Sequence, residues 1–175
     1  MSDDSNAQTA NLTKKMASRY LDAVILGLND ALVELTGALA GFTIALHSSQ
    51  LIILAGITTG VAAILSMTAS EFLAKEAENR QNNSYFAAFC TGAAYLITTA
   101  ILLLPFFVFP KPLTALLFSF IFAALIIIAF TYKGSKIRHS SFMRNCLQML
   151  IITFSVSALS FFISWLAKTW WGIDV

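Results

Sequence analysis

Charged residues are scarce in this chain, and their scarcity excludes an ordinary soluble domain. Asp, Glu, Lys and Arg make up 11% of the 175 residues, whereas 58% are hydrophobic; soluble domains carry about 25% charged residues. The apolar residues also form long blocks instead of the one-sided spacing of a soluble helix. A net charge of +2 is too small to indicate nucleic-acid binding. The composition therefore predicts an integral membrane protein.

Cysteine and histidine are equally rare, with two residues of each. Cys90 and Cys146 lie in or beside apolar blocks, so neither a disulfide framework nor a cysteine-based metal site is expected. The sequence shows no Ser/His, Cys/His or His-rich cluster of the kind that indicates catalysis. We therefore expect a protein that is not an enzyme and that has no resident cofactor.

Five long apolar runs define the organisation of the chain. Runs of about 20 residues predict transmembrane segments, which must be α-helices because unpaired backbone groups are too costly in lipid. We call them spans one to five, and they cover residues 21–46, 51–74, 85–109, 113–132 and 146–168. The prediction is an all-α membrane protein with one transmembrane domain over residues 21–170.

Two further expectations concern the N-terminal segment and the prolines near the end of span three. Residues 1–20 are polar and contain no apolar stretch, which predicts a short cytoplasmic tail without regular structure and no cleavable signal peptide. Pro105, Pro110 and Pro112 are expected to end span three, because proline interrupts the hydrogen bonding of a helix.

The distribution of basic residues predicts the direction of the chain in the membrane. With five alternating spans, Lys111 and Lys168 lie on one side, and the other nine Lys and Arg residues lie on the opposite side. Those nine are Lys14, Lys15, Arg19, Lys75, Arg80, Lys133, Lys136, Arg138 and Arg144. Because Lys and Arg accumulate in cytoplasmic segments, the N-terminus is predicted in the cytoplasm and the C-terminus outside.

Span one contains acidic residues within its apolar run. In "GLNDALVELTGALAGF", Asp30, Glu34, Gly37 and Gly41 fall within about 60° of arc on one helix face. The opposite face carries leucines and suits packing or lipid. The two glycines, four residues apart, allow close helix approach, either against span two or against span one of a second copy.

Span two repeats this arrangement in the opposite direction. Gly56, Gly60, Ala63, Met67 and Glu71 lie within about 80° of arc. Since the chain runs outward in span one and inward in span two, both spans place glycines in the outer half and polar side chains in the inner half.

The depths of these polar residues match. At a rise of 1.5 Å per residue, Asp30 lies about 13 Å and Met67 about 12 Å from the cytoplasmic ends of their spans, with Glu34 deeper and Glu71 shallower. A carboxylate at this depth costs about 2.5 to 3.5 kcal/mol, and no Lys or Arg lies deep in any span. The acids therefore require protons or a bound cation.

The ligand types indicate which cation would bind. Carboxylates suit hard divalent ions, whereas a thioether favours softer, later metals. Together they favour Fe²⁺ or Mn²⁺, with Zn²⁺ or Co²⁺ as further candidates. The predicted metal-binding residues are Asp22, Asp30, Glu34, Met67 and Glu71. The alternative is a non-transporting membrane subunit or scaffold whose acids are buried and protonated.

Two stretches resemble the vacuolar iron transporter family, which occurs in plants, fungi and bacteria. They are "LDAVILGLNDALVELTGALAGFTIAL" and "GVAAILSMTASEFLAKEAEN". The matching positions are Asp22, Gly27 and Asp30 in the first helix and Ser66, Met67, Glu71 and Phe72 in the second. The resemblance implies a homodimer of five-helix subunits that exports Fe²⁺, and often Mn²⁺, from the cytosol in exchange for protons. In that family the translocation residues correspond to Asp30 and Met67.

The chain departs from the family in its soluble parts. Plant members insert a Glu-rich, metal-collecting domain between helices two and three, where this chain has "KEAENRQNNS". A related bacterial branch carries a ferritin-like domain before the membrane part, where this chain has about 20 residues. We therefore expect a membrane-only member of the bacterial type, in the inner membrane.

Overall fold

Five α-helices make up almost all of the described chain in the computed structural model. The structure describes residues 2–46, 48–77, 81–138 and 141–171, and the side chains of 21–46, 48–77, 84–137 and 141–170. The helices are α1 (Ser2–Ala45), α2 (Ser49–Ala77), α3 (Gln81–Val108), α4 (Pro112–Arg138) and α5 (Phe142–Trp171).

Each helix contains a stretch that is long and apolar enough to cross a membrane. These stretches are Leu21–Ala45, Ser49–Ala77, Ser84–Val108, Pro112–Ile137 and Phe142–Trp170. The five predicted spans are thereby confirmed, and their ends differ from the prediction by at most five residues. The differences arise mainly because polar residues next to an apolar run continue the helix instead of ending it.

The N-terminal segment differs from the prediction of a tail without regular structure. Helix α1 begins at Ser2 and continues without a break into the first span. Residues 2–20 contain neither proline nor glycine, and extending an existing helix avoids the cost of nucleation. The polarity of residues 2–20 was therefore the wrong criterion for where this helix begins.

Pro105 also differs from its predicted role, because it lies inside α3, which continues to Val108. A proline removes a backbone donor and disturbs the carbonyl groups of the preceding turn. In this preceding turn, the carbonyl oxygen of Leu102 accepts a 2.7 Å hydrogen bond from Ser119 Oγ of α4. A neighbouring helix thus supplies a donor beside the proline, which is how membrane helices tolerate this residue.

Helix α1 lies at the centre of the bundle and contacts the other four helices. Its leucine face, predicted from the sequence to be apolar, forms the core: Leu28, Leu32, Leu35 and Leu39 are at most 3% exposed. Helices α2 and α5, in contrast, expose most of the residues of their spans. The most polar span is therefore also the most enclosed one.

The glycines of α1 and α2 contact other helices of the same subunit. A Cβ atom added at Gly37 or Gly41 would meet Val156, Ser160 and Ser164 of α5. At Gly56 and Gly60 it would meet mainly Leu103 and Thr99 of α3. The glycines thus place α5 against α1 and α3 against α2. Packing of the α1 glycines against α2 was one of two arrangements that the sequence left open, and within the subunit these glycines contact α5 instead.

Helices α1 and α3 approach closely at Gly27. A Cβ atom added at Gly27 would clash with the backbone carbonyl oxygen of Thr91. Thr91 Oγ1 lies 3.1 Å from the carbonyl oxygen of Ala23, one turn earlier on α1. Because the obstructing atom belongs to a backbone, it cannot rotate away from an added methyl group.

We therefore expect Gly27→Ala to lower the melting temperature of the detergent-solubilised protein by several degrees, since overpacking costs about 1 to 3 kcal/mol. Gly134→Ala is the matched control, because its added Cβ would meet only Ile25 Cδ1, at 3.7 Å. That variant should keep or slightly raise the melting temperature, because alanine favours a helix over glycine by about 1 kcal/mol. Equal melting temperatures for the two variants would contradict the close approach.

Candidate functional site

A groove of about 540 Å³ lies between α1 and α2 and is lined by polar side chains from both helices. Asp30 and Glu34 line its α1 wall. The α2 wall is formed by Thr58, Thr59, Ala62, Ala63, Ser66 and Met67. Three of the five residues predicted to bind metal therefore share one groove, as the matching depths of Asp30 and Met67 indicated.

The groove lies beside the acidic face of α1, and its opposite wall comes from α2. Asp30 and Glu34 are one turn apart and lie on the same side of α1, away from the leucine face that fills the core. Asp30 is half-buried and Glu34 is exposed on the surface of the single subunit. The carboxylates are thus fixed by the best-packed helix of the protein while facing an open space.

Glu71 and Asp22 do not line the groove. Glu71 is buried on α2, and its Oε1 lies 3.6 Å from Nζ of Lys75, one turn later. Asp22 is exposed near the start of the first span. The continuous row of acids predicted from the sequence is therefore interrupted, because Glu71 faces a cation instead of the groove.

Tyr95 of α3 also reaches this site, although it was not predicted from the sequence. Its hydroxyl donates a 2.8 Å hydrogen bond to Oε2 of Glu34, and the residue is 0% exposed. A signal was present in the sequence: membrane tyrosines concentrate near the lipid–water interface, whereas Tyr95 lies in the middle of span three. A buried tyrosine hydroxyl normally finds a hydrogen-bond partner, so this position indicated a polar neighbour.

Neutral oxygen atoms complete the α2 wall of the groove. Thr58 Oγ1 donates its proton to the carbonyl oxygen of Leu54 at 2.8 Å. Because a hydroxyl has a single proton, the oxygen of Thr58 can only accept bonds from the groove side. Thr59 and Ser66 add two more hydroxyl groups. Such oxygens suit a hydrated cation or a chain of water molecules.

The groove offers two carboxylates, one thioether and three hydroxyl groups, which is an incomplete set for a tightly bound ion. Among the residues whose side chains are described, no three His, Cys, Asp or Glu residues cluster as a metal site. An ion in this groove would keep water molecules or take ligands from outside the subunit. Incomplete coordination suits transport, since a transported ion must also leave.

A second polar cavity, of about 340 Å³, lies on another side of α1, between α1, α4 and α5. Its polar lining consists of amides and hydroxyls, including Asn29, Asn145 and Gln148. The lining includes no charged side chain, so it lacks the carboxylates that a divalent cation needs. The neighbouring residues Asn29 and Asp30 thus face two chemically different spaces.

The open groove predicts that its walls contact water although they lie within membrane spans. In a Cys90→Ala/Cys146→Ala background, we expect Ser66→Cys to react several-fold faster with a water-soluble maleimide than Leu65→Cys. Leu65 is the matched control, because it is 67% exposed on the same helix but does not line the groove. The reactive species is the thiolate, which requires water. Equal labelling rates in membrane vesicles would contradict a hydrated groove.

Comparison with known proteins places the chain in a family. Residues 21–86 and 73–165 match a protein-family model described as the VIT family. The two matches overlap and together cover residues 21–165, which include part or all of each of the five helices. A search of curated proteins found no match to the chain.

Proposed function

This chain belongs to the VIT family, the vacuolar iron transporters that its first two spans resemble, and from this premise we propose that it exports Fe²⁺ and/or Mn²⁺ from the cytosol in exchange for protons. The family consists of membrane transporters of metal ions. The observation that carries the proposal is the groove in which Asp30, Glu34 and Met67 meet at mid-span.

The charge of the groove supports ion transport. Two carboxylates within a membrane span are costly without a counter-charge, and the lining of this groove contains no Lys or Arg. A divalent cation or protons can supply the missing positive charge. Because both would occupy the same carboxylate oxygens, binding of one displaces the other, and this competition couples metal export to proton import.

The donor atoms of the groove support the choice of metal. Carboxylate and hydroxyl oxygens bind hard cations, whereas the thioether of Met67 adds affinity for softer divalent ions. This mixture favours Fe²⁺ and Mn²⁺ over Mg²⁺ or Ca²⁺. Zn²⁺ and Co²⁺ are secondary candidates.

The direction of transport follows from the proposed topology. Nine of eleven basic residues are assigned to the cytoplasmic side, so the N-terminus is proposed to be cytoplasmic, in a bacterial inner membrane. In that orientation Asp22 and Glu71 lie nearer the cytoplasmic mouth than Asp30 and Glu34. We assign them a role in attracting metal; for Glu71, the ion must compete with Lys75.

The exposed wall of the groove supports a homodimer. Glu34 is exposed in the single subunit, which is unfavourable for a carboxylate that would otherwise face lipid. A second copy of α1 across the groove would shield it and would supply a second set of carboxylates. The family resemblance implies the same arrangement.

One observation favours the alternative, a non-transporting membrane subunit with protonated acids: a single subunit assembles no cluster of three strong metal-ligand residues among its described side chains. The two functions differ in metal binding. A transporter binds Fe²⁺ or Mn²⁺ stoichiometrically in detergent and loses it in Asp30 or Glu34 variants, whereas a scaffold shows no such site.

Replacing Asp30 tests the path directly. In proteoliposomes with an imposed pH gradient, we expect Asp30→Ala to reduce Fe²⁺ uptake at least about tenfold, because loss of groups around a bound metal typically costs 10- to 100-fold in affinity or activity. Asn29→Ala is the matched control and should transport normally, since Asn29 lines the other cavity. If Asp30→Ala transports as well as the parent, the proposed path is wrong.

Replacing Met67 tests the origin of metal preference. Met67→Leu removes the thioether at nearly constant volume, a change that packing usually tolerates. We expect Fe²⁺ and Co²⁺ uptake to fall more than Mn²⁺ uptake, because Mn²⁺ depends least on soft ligands. Met143→Leu on the exposed surface of α5 is the control. An unchanged ratio of Fe²⁺ to Mn²⁺ uptake in Met67→Leu would exclude a thioether ligand.

A further inference from the structure

Tyr95 belongs to neither helix of the groove, yet its hydroxyl reaches a groove carboxylate. The ring is enclosed within the bundle, at 0% exposure, while the hydroxyl donates to Oε2 of Glu34 at 2.8 Å. One end of the side chain is therefore fixed in the core and the other contacts the candidate ion site. Packing alone does not explain this position, because phenylalanine would fill the same core space.

The donor at this position is neutral, and its neutrality matters for cation binding. A lysine or arginine would stabilise the Glu34 carboxylate but would cancel its charge. A phenol hydroxyl forms a charge-assisted hydrogen bond, which is stronger than one between neutral groups, and leaves the net negative charge in place. The bond engages Oε2, which leaves Oε1 to face a cation.

The position of the Tyr95 hydroxyl is set by rigid packing. Tyr95 lies one turn after Thr91, whose backbone carbonyl packs closely against Gly27 of α1. Thr91 Oγ1 also lies 3.1 Å from the carbonyl oxygen of Ala23. Helix α3 is thus held against α1 directly before the residue that reaches Glu34, and a buried ring has little freedom to move relative to its own helix.

We propose that Tyr95 is a positioning residue: it holds Glu34 in the orientation in which the second carboxylate oxygen binds the transported divalent cation. The inference rests on the proposed function and extends it to α3. Glu34 is then a ligand that contributes one oxygen, and α3, a helix outside the groove, sets the direction of that oxygen. Tyr95 itself does not contact the ion.

The test measures Mn²⁺ binding to the purified full chain from the electron paramagnetic resonance signal of free Mn²⁺. Tyr95→Phe keeps the ring and removes only the hydroxyl, so the fold should persist. We expect Mn²⁺ affinity to fall about tenfold, which corresponds to about 1.4 kcal/mol. Tyr132→Phe is the matched control and should bind like the parent, because Tyr132 is exposed on α4 and its ring contacts Phe142.

A second background separates positioning from a general structural effect. In a Glu34→Ala variant, which retains Asp30 and Met67, adding Tyr95→Phe should cause no further loss, because the hydroxyl has lost its acceptor. The effects of substituting two residues that act through one contact are not additive, whereas independent effects add. Parent-like affinity of Tyr95→Phe, or an equal loss in both backgrounds, would overturn the positioning role. If the parent binds neither Mn²⁺ nor Fe²⁺, the proposed function itself fails.

Discussion

The need to place two carboxylates inside a membrane bundle without a fixed cation governs this structure. Asp30 and Glu34 lie on α1, the helix that also supplies the central leucine core. One face of α1 must therefore be packed as tightly as a protein interior, while another must leave an open groove beside the carboxylates. The separation of α1 and α2 at the level of Asp30 and Met67 meets the second requirement.

The first requirement is met by small residues that let helices approach α1 closely. Gly27 receives the backbone of α3, and Gly37 and Gly41 receive α5. In lipid, where apolar surfaces gain little by leaving the solvent, such close contacts and interhelical hydrogen bonds are the main sources of association. The glycines thus hold the carboxylates in place indirectly, by fixing the helix that carries them against α3 and α5, neither of which lines the groove.

The carboxylates of Glu71 and Glu34 are stabilised by neighbours of different kinds. Glu71 has a fixed cation in Lys75, one turn away. Glu34 instead receives a neutral hydroxyl from Tyr95. A paired carboxylate has much of its charge cancelled, whereas a carboxylate bound to a phenol still attracts a cation. This difference explains in physical terms why Glu34 is a stronger candidate ligand than Glu71, although both were predicted from the same helical periodicity.

The spans were predictable because hydropathy is a sum over local residues, and the pairing of Asp30 with Met67 was predictable because helical rise converts sequence position into depth. Predictions made from the local sequence alone were wrong at two places. Pro105 does not end α3, where Ser119 of α4 supplies a hydrogen-bond donor to the preceding turn. The N-terminal segment is helical because it extends a helix that already exists.

The sequence by itself determined five membrane-spanning helices, the depth at which acidic and thioether side chains meet, and the resemblance to a family of metal transporters. Only the tertiary structure decided which helices pack against the glycines. It also decided that Glu71 does not line the groove and that the Tyr95 hydroxyl reaches Glu34. The reason is that composition and periodicity are properties of one helix. The choice of neighbour depends instead on close contacts between helices that are distant in sequence and, in lipid, nearly equivalent in hydrophobicity.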